Sequence, residues 1–249
     1  MDHGKQHIWI IGASSGIGKA LAEIYSSAGW IVTASARNEE KLGALSGQNG
    51  NISSLPLDVL EENCFERAFK YFRAGDLMPD LVLYCAASYK PGGLSVLNQA
   101  EAGQHMAVNY LAFTGLVDAT VAEFSSRGSG HLAVISSLAG YCGLPNAALY
   151  VPTKAALINL CETLKPEFDQ RGLSLSVICP GFVKTPLTDK NSFKMPYLME
   201  PQEAAIRIKK DLDKGAFQIS FPWQMTLTLK LLQKLPYFLY FRIMKRMKS

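Results

Sequence analysis

The chain has 249 residues, 48% of them hydrophobic and 18% charged, with a net charge of +4. That balance excludes a disordered or fibrous protein and suits a globular body with a sizeable core. Six cations, Lys230, Lys234, Arg242, Lys245, Arg246 and Lys248, follow residue 220 with no acid among them, so residues 1–220 carry −2 and a nucleic-acid-binding body is excluded.

The first apolar run, residues 7–11, passes straight into Gly12-Ala-Ser-Ser-Gly16-Ile-Gly18 and then into residues 17–28, where Ile17, Leu21, Ala22, Ile24 and Tyr25 recur at helical spacing. A strand, a glycine-rich turn and a helix in that order form a phosphate cradle. Glycines permit close backbone approach, and the helix start offers unpaired N–H groups and a positive dipole end. Further strands are predicted at 31–36, 52–57, 81–85, 131–136 and 173–179, and helices at 39–45, 61–72, 99–125, 149–171 and 201–214. This alternation predicts an α/β fold, a single-domain doubly wound parallel sheet. Residues 1–220 form the expected dinucleotide-binding and catalytic body, and 221–249 a helical, apolar and basic extension of the same domain.

The apolar residues 8–11 before Gly12 are too few for a secretory segment or a membrane span. The cysteines Cys64, Cys85, Cys142, Cys161 and Cys179 are odd in number and lack CxxC spacing, which argues against a disulfide framework and for a cytoplasmic setting. His3, His7, His105 and His131 lack ligand spacing, so no metal is expected.

The second strand ends Ala34-Ser35-Ala36-Arg37-Asn38, with no acid until Glu39. An acid there would hold a ribose 2′-hydroxyl, whereas an arginine accommodates a 2′-phosphate. NADP(H) is therefore expected over NAD(H), read by Arg37 with Ser14, Ser15 and Ser35 to assist. Asp58 and Val59, after the third strand, are expected at the adenine edge, a helix N-cap being the rival role for Asp58.

The run YVPTK sets Tyr150 and Lys154 one helical turn apart, and a cation beside a phenol lowers its pKa from about 10. Ser137, at the end of the fifth strand, belongs to the same sheet edge. Together Gly12-x-x-x-Gly16-Ile-Gly18, Asn109, Ser137, Tyr150-x-x-x-Lys154 and Pro180-Gly181-x-x-x-Thr185 resemble the short-chain dehydrogenase/reductase family over about residues 7–220. The resemblance implies a Rossmann fold in which Tyr150 exchanges a proton with the substrate oxygen and Ser137 orients that oxygen. It implies that Lys154 lowers the pKa of Tyr150 and holds the nicotinamide ribose, and that Asn109 anchors a water linking Lys154 to solvent. It further implies that Thr185 holds the carboxamide, with Ala86, Pro180, Gly181 and Val183 also on the cofactor. A homodimer or homotetramer, packed through the helices after strands four and five, is implied as well. Two departures stand out: Tyr84-Cys85-Ala86-Ala87 where the family usually carries Asn-Asn-Ala-Gly, and Ile11 for the usual threonine.

The expected function is hydride transfer between NADP(H) and the carbonyl or secondary alcohol of a hydrophobic small molecule. Its expected walls are Ser88, Tyr89, Tyr141, Leu144, Phe182, Val183, Leu187, Met195 and Tyr197. The alternatives are a non-catalytic NADP(H)-binding sensor and a membrane-surface interaction protein. The tail, crowded with Trp223, Phe238, Tyr240 and Phe241, reads as an interfacial membrane helix, a dimer contact or a lid over the cleft.

Overall fold

β1 (His7–Ile11) is buried along its whole length because helices cover both faces of the sheet. Successive side chains alternate between faces: Ile8 and Ile10 enter one core layer, Trp9 and Ile11 the other. A computed structural model describes residues 5–47 and 49–247; His3 and Lys248 lie outside the described residues. The chain continues through α1 (Gly16–Ser27), β2 (Ile31–Ser35), α2 (Glu39–Gly47), β3 (Ile52–Ser54), α3 (Cys64–Ala74) and β4 (Leu81–Tyr84). A helix then runs as α4 (Gln99–Met106), a π turn (Ala107–Leu111) and α5 (Ala112–Arg127). β5 (His131–Ile135), α6 (Val151–Gln170), β6 (Ser174–Pro180), α7 (Pro201–Leu212) and β7 (Gln218–Phe221) complete the body.

The sheet is parallel throughout, in the order β3-β2-β1-β4-β5-β6-β7. One layer joins Leu21 of α1, Leu42 of α2 and Ile208 of α7; the other joins Phe69 of α3, Leu116 of α5 and Leu157 of α6. Full burial of each such side chain contributes about 1.5–3 kcal/mol. Strand order reverses between β1 and β4, where Ile11 pairs with Ser35 on one side and Tyr84 on the other. The crevice beyond such a reversal is where doubly wound sheets bind ligands.

Three elements differ from expectation. β7 was not predicted, because QISF is short and only alternately apolar; it pairs with β6 and runs across the expected boundary at 220/221. The helix predicted over 99–125 is interrupted by the π turn, which carries Asn109 fully buried. The tail is two short helices, α8 (Trp223–Gln233) and α9 (Tyr237–Met247). α8 packs on β7 and on the short turn Leu138–Tyr141, burying Leu229, while α9 buries Tyr240 and Met244. The Tyr240 hydroxyl donates to the Gly143 carbonyl. Among the described residues no helix is long and apolar enough to cross a membrane.

Candidate active site

A cleft of about 590 Å³ opens at the strand reversal, within the range of small-molecule and cofactor sites. Gly12, at φ +95°, turns the chain out of β1 while its N–H donates to the Ser35 carbonyl at 2.7 Å. A Cβ on Gly12 would lie 2.6 Å from the Ala86 nitrogen, and one on Gly18 would lie 2.3 Å from the Gly12 carbonyl oxygen, so both positions exclude a side chain. α1 begins behind this turn with Ser15 making no side-chain cap and with no acid in its first turn. Its N–H groups face the cleft side of the turn, beside Ser14, Ser15, Gly16 and Ile17, which all line the cavity. A diphosphate fits this cradle on the chain's own chemistry.

At one end of the cleft stand Arg37, Asn38, Asp58 and Val59. Arg37 is exposed and has no ion-pair partner among the described residues. Asp58 Oδ1 accepts from the Leu60 N–H at 3.0 Å, a turn cap; the residue at the α3 N-cap is Asn63. Ser35, expected to assist Arg37, does not: it is buried, and its Oγ accepts from Trp9 Nε1 at 2.9 Å.

At the other end lie Ser137, Tyr150 and Lys154, with Ala86, Pro180, Gly181, Val183 and Thr185 around them. Thr185 closes directly over the glycine turn, since a Cβ on Gly16 would meet its Cγ2 at 2.7 Å. Ser137 Oγ accepts from the Ala139 N–H at 3.0 Å and donates to the Pro180 carbonyl at 3.4 Å. Asn109 does not line the cleft. Its Oδ1 accepts from the Ser88 N–H at 2.6 Å, and its Nδ2 donates to the Ser88 carbonyl and to Thr153 Oγ1, each at 3.0 Å. Thr153 in turn donates to the Tyr150 carbonyl at 2.7 Å. Asn109 thus ties the segment after β4 to the first turn of α6.

Lys154 is 1% exposed, lies 5.4 Å from the Tyr150 ring centroid and donates from Nζ to the Ile135 carbonyl at 2.8 Å. Burial lowers its ammonium to about 8, against the pull of the neighbouring Cys85 and Cys179. Burial also pushes the Tyr150 phenol up, and the Ser137 hydroxyl hydrogen-bonded to it draws it back. Burial is the largest influence on the phenol, and Ser137, not Lys154, is the group that draws it down. A lysine lowered from 10.5 to about 8 leaves the unfolded chain holding the extra proton between those values. Wild type should accordingly gain stability over Lys154→Met as pH rises from 8 to 10, by up to about 1.4 kcal/mol per pH unit. Denaturant unfolding of both proteins at several pH values tests this; parallel curves would refute it.

On the substrate side, the Tyr89 ring meets the Tyr150 ring edge-on, centroids 5.0 Å apart, and its hydroxyl donates to Asn191 Oδ1 at 2.5 Å. Lys190 Nζ donates to the Tyr89 carbonyl at 3.0 Å. Of the other expected walls, Val183 and Leu187 line the cleft, and Phe182 packs edge-on against Phe193. Tyr141 does not reach the cleft; it is buried in the core under Lys230 of α8. No described residue after Thr188, and so none of the tail, lines this cavity. Sequence reasoning missed Val108, Pro186 and Thr188 as lining residues. Thr188 Oγ1 donates to the Val183 carbonyl at 2.7 Å, and the Thr pair in TPLT was the available signal.

The sequence model of the family described as short chain dehydrogenase matches residues 6–195. A protein of Myxococcus xanthus named an uncharacterized oxidoreductase is 30% identical over 231 residues, covering 91% of each chain. A Mycobacterium tuberculosis protein named likewise is 30% identical over 232 residues, covering 88% of this chain and 89% of its own. Among solved structures, a short-chain dehydrogenase from Streptomyces avermitilis has a TM-score of 0.79 at 23% identity, over 91% of this chain and 92% of that one. One from Sphingobium yanoikuyae in complex with NADPH also has a TM-score of 0.79, at 21% identity over 93% and 96%. These two share the fold.

Proposed function

Since the chain belongs to the short-chain dehydrogenase family, an oxidoreductase family acting on CH–OH or C=O groups, we propose that it interconverts the carbonyl and secondary alcohol of a hydrophobic small molecule with NADP(H), Tyr150 being its acid/base. The observation that carries this reading is one cleft lined at one end by the glycine turn and Arg37 and at the other by Ser137, Tyr150 and Lys154.

NADP(H), when bound, supplies or takes up the hydride. Gly12 to Gly18 would cradle its diphosphate, Arg37 with Ser14 and Ser15 its 2′-phosphate, and Asp58 and Val59 its adenine. Ala86, Pro180, Gly181, Val183, Thr185 and Lys154 would hold the nicotinamide half. The Tyr150 hydroxyl gives its proton to the substrate oxygen in reduction and recovers it in oxidation, while Ser137 Oγ donates a hydrogen bond to that oxygen. Burial pushes the phenol's pKa up, which favours its role as the acid, and the Ser137 hydroxyl draws it back. Asn109 acts as a positioning residue, through Ser88 and Thr153.

The family resemblance supports a homodimer or homotetramer through α4–α5 and α6, and exposed Leu111 is consistent with a contact there. Five free cysteines support a cytoplasmic, reducing setting. Peripheral membrane contact through the tail can accompany this reading or stand without it.

The test of the cofactor is Arg37→Asp. Removing the guanidinium and adding a carboxylate is expected to shift the NADPH/NADH ratio of kcat/KM by about 10²-fold toward NADH. An unchanged ratio, measured by steady-state oxidation of each, would refute the NADP(H) assignment.

A further inference from the structure

Large apolar side chains stand exposed along the edge of the molecule that carries the cleft. Leu94, in the segment after β4, is 90% exposed, and Phe193, after β6, is 48% exposed. α8 leaves the carboxyl end of β7 at this same edge and packs on the turn after Ser137. Trp223, Leu227 and Leu231, spaced i, i+4 and i+8, form an exposed stripe on α8. On α9 Tyr240 and Met244 turn inward, leaving Phe238 and Phe241 outward, with Tyr237 stacked on Phe241 at 5.6 Å. Lys234, Arg242 and Lys245 are exposed among them, and no acid follows Asp213.

An exposed apolar surface of this kind marks a binding face, and its charge names the partner. A second copy meeting it across a two-fold axis would set cation against cation, whereas anionic headgroups complement it. Each helix has 11 residues, roughly 16 Å of helix. That is half the thickness of a bilayer's hydrocarbon, about 30 Å, and suits helices lying in the interface with aromatics down.

We propose that the α8–α9 face docks on an anionic lipid surface and that the adjoining site takes its substrate, an alcohol or carbonyl on a long apolar chain, from the lipid phase. The substrate half rests on the oxidoreductase reading above; the docking half does not. What links them is the packing. Tyr240 of α9 holds the carbonyl of Gly143, in the segment joining Ser137 to Tyr150. Pro222 and Met225, at the start of α8, abut Gly181 in the cleft wall, where an added Cβ would meet them at 2.9 and 3.1 Å. The docking face and the walls of the cleft are thus one packed unit, so a docked molecule holds its cleft at the bilayer surface.

The test is flotation of the full-length chain with vesicles of phosphatidylcholine alone or mixed with equimolar phosphatidylglycerol. Binding to the anionic vesicles is expected to be at least about tenfold tighter and to weaken with salt. Phe238→Ser/Phe241→Ser and Lys234→Gln/Arg242→Gln/Lys245→Gln alter only exposed side chains. Each should keep the wild-type melting temperature and lose at least about tenfold in binding. Equal binding to neutral vesicles, or undiminished binding by both variants, overturns the docking. So does a wild-type oligomer, seen by size-exclusion chromatography, that Phe238→Ser/Phe241→Ser disperses, since a second copy would then own the face.

For the substrate half, NADPH oxidation with a long-chain ketone carried in anionic vesicles should be at least about tenfold faster for wild type than for Phe238→Ser/Phe241→Ser. A short, water-soluble ketone should be turned over equally by both. Equal rates on the vesicle-borne ketone overturn the lipid-phase substrate alone. A chain that binds vesicles but oxidises NADPH with neither ketone leaves docking standing and overturns the oxidoreductase reading.

Discussion

Tyr150→Phe is expected to lower kcat by about 10³-fold or more, within the range lost with a general acid, while NADPH affinity stays within about twofold. The substitution removes one oxygen and keeps the ring, and it is the ring that packs. Tyr89 meets it edge-on at 5.0 Å and the Lys154 ammonium lies 5.4 Å from its centroid. Only the hydroxyl faces Ser137, so the loss should fall on proton transfer and leave the cleft's shape unchanged. Fluorescence titration with NADPH and steady-state turnover separate the two effects. A variant retaining more than about a tenth of wild-type kcat would mean the proton comes from another group.

The second large effect is expected at Gly18→Ala. The added Cβ would lie 2.3 Å from the Gly12 carbonyl oxygen and 3.0 Å from its carbon, both backbone atoms that cannot swing aside. Relief requires α1 to move off the turn, which carries the helix N–H groups away from the cradle. NADPH affinity should fall by about 10²-fold or more, equivalent to roughly 2.7 kcal/mol. Gly43→Ala in α2 is the control, because nothing lies within 4 Å of its Cβ. It should leave affinity unchanged and raise stability by up to about 1 kcal/mol. Equal affinities in Gly18→Ala and wild type would mean that the turn does not cradle the diphosphate.

The two central layers were legible because a parallel strand covered on both faces reads as a near-continuous apolar run, as Ile8 to Ile11 does after His7. β7 lies at the end of the sheet, paired with β6 alone, and has two buried residues, Ile219 and Phe221. Its four residues left no run to read. The glycine turn, Ser137, Tyr150 and Lys154 were legible as types at fixed spacing, and the fold brings them to one cavity. What spacing does not carry is depth. Ser35 looked available beside Arg37, yet the register Ile11↔Ser35 puts it next to Trp9, whose indole N–H takes its oxygen. Tyr141 and Tyr89 read alike, but one is core and the other meets the Tyr150 ring. The spacing of Tyr150 and Lys154 suggested that the lysine lowers the phenol's pKa. With the lysine 1% exposed, burial governs both groups instead.

The bond from Tyr89 to Asn191 joins segments 102 residues apart. At its base the outer segment is held by the Val183↔Met199 bridge; at its tip it is held by Tyr89 through Asn191 and Lys190. Two such hydrogen bonds contribute together on the order of 2 kcal/mol net. Ordering the backbone costs about 1–2 kcal/mol for every residue fixed. The tip fastening is therefore offset by the ordering of one or two residues: it sets where Asn191 and Lys190 rest beside Tyr89 without locking them there.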